Sequence, residues 1–145
     1  MTRTANRSTG PPQPPLVSIL RQNRTLIASI HTALDDTELQ RFQRDLIDRV
    51  GRDRARGIII DVSALDVLDS FASHTLSRIA NTARLRGAAT VIVGINPEVA
   101  FAMVQLGIRL DNVTTALDLD EGLDVLNGPS TIHRQGNTSA AEKRR

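Results

Sequence analysis

Gly57-Ile58-Ile59-Ile60-Asp61-Val62, running on into Ser63-Ala64-Leu65-Asp66-Val67-Leu68-Asp69-Ser70-Phe71, is the stretch whose reading decides the fold. A continuous β-branched run with no polar alternation fits a central strand covered on both faces. The chain then turns through Asp66 and reaches Asp69-Ser70, an acceptor side chain standing just before a helical pattern. Phe71, Leu76, Ile79, Ala80 and Ala83 give that pattern its inward face, and the helix is expected to end near Gly87. Thr90 to Ile95 is a second buried strand, so the helix must join two strands that run parallel with a right-handed crossover. Ser70 therefore falls at a helix tip, just beyond the carboxyl end of a central strand.

Outward from this unit the apolar period keeps changing. Leu16 to Leu20 and Leu26 to Ile30 are short runs separated by Arg21-Gln22-Asn23-Arg24, which predicts a two-stranded hairpin. Asp35-Asp36-Thr37-Glu38 has the spacing of a capping box, and Leu39, Phe42, Leu46, Ile47 and Val50 follow at helical intervals, with Gly51 as the expected stop. Downstream, Asn96-Pro97-Glu98 opens a third helix that Gly107 closes. A short strand near Val113 to Thr115 and a last helix from Asp118 to Leu126 complete the pattern, with Asp118 and Glu121 repeating the acidic capping interval. The result is an α/β sandwich: a mixed sheet of about five strands with about four helices, in the order ββαβαβαβα.

Composition limits what this fold can do. A chain of 145 residues suits one domain with a core of its own, and with no cysteine it has no thiolate catalysis, disulfides or cysteine-ligated zinc. The isoelectric point of about 10.3 suggests nucleic acid until the charges are placed. Between Leu16 and Asn127 there are 12 arginines against 15 carboxylates, so the excess of positive charge belongs to the ends. Residues 1–15 hold Pro11, Pro12, Pro14 and Pro15 among polar residues, and residues 128–145 are polar and basic; both are expected to be disordered around a domain at 16–127. No aromatic residue stands beside the basic groups to stack on bases, so no nucleic-acid partner is expected. The sequence holds neither a membrane-spanning run nor a secretory leader, and a cytoplasmic protein without membrane contact is expected.

Candidate chemistry gathers around Ser70. Asp61, Asp66 and Asp69 form a carboxylate cluster, but a strand end, a turn and a helix cap are each favoured uses of Asp, and no metal is assigned. Gly-rich phosphate-binding runs are missing, and no cofactor is expected. His74 lies on the same helical face as Ser70 with Asp69 adjacent, yet no nucleophile-elbow pattern accompanies them, and the chain reads as a non-enzyme. His31 and His133 are isolated. Arg49, Arg52, Arg54 and Arg56 read as a solvated basic face, and Ser63 as a turn residue in preference to a second phosphorylation site. Residues alone leave Ser70 open as a cap-region residue or a modification site.

The order of elements, with Asp61-x-Ser63 followed by Asp69-Ser70, resembles the STAS domain of sulfate transporters and anti-sigma-factor antagonists. More narrowly, Asp69-Ser70-Phe71, together with the stretch from Val93 to Ala100, Leu106-Gly107-Ile108 and the stretch from Thr115 to Leu123, is similar to the RsbS-type scaffold of the stressosome. That resemblance implies a stress-response signalling phosphoprotein that assembles with RsbR-type STAS proteins and sequesters an RsbT-type serine kinase. The kinase then phosphorylates the serine corresponding to Ser70 and leaves to act in a sigma-factor cascade. Asp66, Asp69 and Phe71 would be docking residues, and a homodimer within a large hetero-oligomer is implied. The alternative is a free anti-sigma-factor antagonist that binds an anti-sigma kinase one-to-one; Phe71-Ala72, in place of a small Ser/Thr-Gly pair, favours the scaffold.

Overall fold

The computed structural model describes residues 14–128, so the expected disorder of the tails falls mostly outside the described residues. Strand β1 (Val17–Gln22) turns through Asn23-Arg24 into β2 (Thr25–Ile30), with Asn23 in the left-handed conformation that asparagine tolerates. Helix α1 (Asp36–Asp53), β3 (Gly57–Asp61), α2 (Ser70–Leu85), β4 (Ala89–Val93), α3 (Pro97–Leu106) and β5 (Thr114–Ala116) follow. A final helix, α4, covers residues 119–128. The sheet order is β1-β2-β3-β4-β5, with β1 antiparallel to β2 and every later pair parallel. This is the mixed ββαβαβαβα arrangement expected from the sequence.

Alternation along the strands distributes the core between two faces. Leu26, Ala28, Ile30, Ile58, Ile60 and Ile92 point to the side covered by Phe42, Leu46 and Val50 of α1, Leu76, Ile79 and Ala83 of α2, and Val99 and Met103 of α3. Ile27, Ile59, Val91 and Val93 point to the other side, where α4 brings Leu123, Val125 and Leu126. That helix lies close to the sheet at Gly122, where an added Cβ would stand 2.8 Å from Val93 Cγ1.

Several boundaries differ from the sequence expectation; β1 runs Val17–Gln22 and β4 runs Ala89–Val93, ending before Ile95. Gly51 does not stop α1, which continues to Asp53 and ends on Arg54 at φ 53°. The glycine instead leaves space for the Arg86 guanidinium, which lies where a Cβ on residue 51 would project. Helix α2 closes earlier than Gly87, at Leu85, and β5 sits one residue later than expected. Phe71, expected to face inward, is only half-buried.

Candidate functional site

Because β2 to β5 run parallel and each is followed by a helix, the helix starts collect at the carboxyl edge of the sheet. Ser70 belongs to this edge. The loop leading to it is fixed at several points. Val62 N–H donates to Val93 O at 3.0 Å, and Leu65 N–H donates to Val62 O at 3.0 Å. Asp61 Oδ1 accepts from Ser63 N–H at 2.9 Å. Gly94, at φ 84°, crowds this turn so closely that a Cβ would lie 2.8 Å from Ser63 Cβ and 3.0 Å from Asp61 Oδ1. Asn96 Nδ2 donates to Leu65 O at 2.9 Å, joining the loop after β3 to the loop after β4.

Leu65 and Leu68 are buried and anchor the loop, whereas Val67 between them is 67% exposed. Asp69 then acts as the N-cap of α2, its Oδ1 accepting from Ala72 N–H at 2.8 Å. Ser70 is the first residue of the helix and is exposed. Among the described residues no acceptor is recorded for the Ser70 and Phe71 N–H groups, so two outward-directed amides stand at the tip beside the hydroxyl. Such a tip favours negative charge.

The structure brings Asp66, Asp69, Ser70 and Phe71 to one edge, but in different states. Asp66 is exposed, Asp69 is exposed but engaged in capping, and Phe71 is half-buried, its carbonyl accepting the Thr75 hydroxyl at 2.9 Å. Ser63 is exposed in the turn. His74 is exposed on α2, and among the described residues no hydrogen bond joins it to Ser70 or Asp69. Asp61 and Asp69 each hold a backbone N–H, and no group of His, Asp or Glu side chains with metal-binding geometry occurs among the described residues. A cavity of about 90 Å³ under Leu68 and Ala72 is far below the roughly 300 Å³ at which small-molecule sites begin.

Two residues of this edge were not apparent in the sequence. Asn96 reads there as a helix opener, yet its side chain makes no cap bond and clamps the Ser70 loop instead. Val67 is the exposed apolar group beside the serine, and its only sequence signal is an apolar residue squeezed between two anchors.

The sequence pattern of the STAS domain family matches residues 17–122. A structure of RsbS from Moorella thermoacetica with a serine-to-glutamate substitution is 33% identical, covers 79% of this chain and 97% of that one, and superposes with a TM-score of 0.68. A chain from the molecular architecture of the stressosome, a signal integration and transduction hub, is 31% identical at a TM-score of 0.63, covering 78% of this chain and 98% of that one. The RsbT co-antagonist protein RsbRA of Bacillus subtilis is 30% identical over 109 residues, 75% of this chain and 39% of that protein. The chain spans 24% to 39% of the length of the Bacillus co-antagonists it matches. No helix among the described residues is long and apolar enough to cross a membrane.

Proposed function

The chain belongs to the STAS domain family, among relatives of RsbS and RsbR stressosome proteins, and on that footing we propose that it is an RsbS-type, non-enzymatic scaffold that holds an RsbT-type serine kinase and releases it when Ser70 is phosphorylated. The observation that carries this reading is the placement of Ser70: exposed, first in its helix, and presented by a loop tied to β4 and to the loop that follows β4. RsbR-type STAS proteins are the assembly partners, since the curated relatives are RsbT co-antagonists. In the unmodified state the kinase rests on a neutral hydroxyl, the apolar Val67 and the part of Phe71 that remains accessible. Asp66 and Asp69 flank them.

Phosphorylation adds about −1.5 to −2 charges at this tip. The two free amides accommodate the new anion without rearranging α2. Beside Asp66 and Asp69 the phosphate completes an acidic patch that repels acidic groups on the docked kinase. A like-charge penalty of about 3 kcal/mol in a partly desolvated contact lowers affinity by about two decades, enough for release. The switch is electrostatic, and the fold is the same before and after.

Intact-mass analysis of wild type and Ser70→Ala after incubation with an RsbT-type kinase and ATP tests this, paired with kinase binding before and after. One phosphate on wild type, none on Ser70→Ala and weaker binding after transfer support the reading. No transfer, transfer to another residue, or unchanged affinity removes the mechanism. Binding to an anti-sigma kinase in a one-to-one complex without larger assembly would make the chain a free antagonist.

A further inference from the structure

We propose that His74 is a cation shared between two anions: it holds an acidic group of the docked kinase while Ser70 is unmodified, and the Ser70 phosphate takes it over after transfer. The inference rests on the scaffold reading above and adds how the kinase loses its hold. It starts from the charge on α2. Asp36 and Glu38 stand in the first turn of α1 and Glu98 in that of α3, whereas the first turn of α2 has no acid. Helix α2 contains no carboxylate anywhere between Ser70 and Leu85, and its ionisable residues are His74, Arg78 and Arg84.

Side chains four residues apart share one face of a helix. Ser70, His74 and Arg78 therefore form a single row, and all three are exposed. Among the described residues no hydrogen bond or ion pair engages the side chain of His74 or Arg78. The neighbouring loop does not consume them either. Asp111, whose N–H donates to Ser77 Oγ at 3.0 Å, has its carboxylate 3.8 Å from Arg109. The row is a positive strip that begins at the serine, and its charge complements the acidic groups through which the kinase responds to the phosphate.

Distance divides the two cations. His74 lies about 6 Å along the helix from Ser70, within reach of a phosphate carried there, and Arg78 about 12 Å, beyond it. An anion placed four residues before a cation is the favoured order for such a pair. An imidazole beside an anion takes up a proton, and both ring nitrogens then donate. Phosphorylation thus acts twice: it sets a like charge against the kinase's acid and withdraws the cation that held it. Arg78 stays available to the kinase in both states.

Phosphoserine placed at position 70 during translation supplies both states of every variant without relying on transfer. Binding of an RsbT-type kinase to the unmodified and phosphorylated full chain is then compared for wild type, His74→Ala, His74→Lys and Arg78→Ala. His74→Ala should weaken binding of the unmodified chain about tenfold and shrink the affinity ratio between the two states. His74→Lys should restore both, and Arg78→Ala should weaken the two states alike. By phosphorus NMR of the chain without kinase, the second ionisation of the phosphate, ordinarily at about pH 6, should fall lower in wild type than in His74→Ala. Unmodified His74→Ala that binds as wild type does, an affinity ratio that stays or grows, or an ionisation indifferent to residue 74 overturns the proposal. A histidine that merely neutralised the phosphate would make the ratio grow. A kinase that binds neither state of wild type, or both equally, removes the scaffold reading itself and this inference with it.

Discussion

Asp69 has two roles within one side chain: it caps α2 through Ala72 N–H, and it supplies negative charge next to Ser70. Conservative substitution separates them. Asp69→Ala should lower stability by about 1 kcal/mol, seen as an earlier urea midpoint, whereas Asp69→Asn caps as well and should leave the midpoint in place. If kinase release is electrostatic, the loss of kinase affinity produced by Ser70→Asp should shrink in the Asp69→Asn background. An undiminished loss would assign release to another cause. At this scale the sequence was informative because capping is local: Asp69 and Ser70 announce a helix start within a few residues. Asn96 gave no such signal, since the carbonyl it holds lies 31 residues earlier and only the folded sheet brings the two together.

The loop between β3 and α2 is the element on which presentation of Ser70 depends, and Asn96 is its tie to α3. Asn96→Ala leaves the Leu65 carbonyl without this donor, at a cost of about 1–3 kcal/mol. Hydrogen exchange should accelerate across residues 62–69 while the amides of β2 keep their protection. Equal acceleration everywhere would mean that the tie supports the whole core instead of the loop. Helix starts were legible element by element: the capping box at Asp35 and Glu38 forms as its spacing predicted. Ends and edges were not. Glycine usually marks a helix stop, but at position 51 it accommodates an arginine from a different helix. The exposed Thr114 and Thr115 give β5 no burial pattern to fix its register.

For the molecule as a whole, the weight falls unequally on the two sides of the sheet. Three helices cover one face, while Ile59, Val91 and Val93 on the other depend on α4. Gly122→Val would force that helix away from Val93 and should destabilise the domain by about 1–3 kcal/mol in a chemical unfolding curve. A variant as stable as wild type would show that α4 shifts without loss of packing. The tie at Asn96 also bears on how the protein ages. Asparagine deamidates when the next backbone N–H, once deprotonated, attacks its side chain, and Pro97 has no N–H to supply. The amide that holds the Ser70 loop is thus shielded from slow chemical decay, while Asn127, followed by Gly128, is open to it. Stored protein should gain a new carboxylate at position 127 and keep its serine loop unaltered.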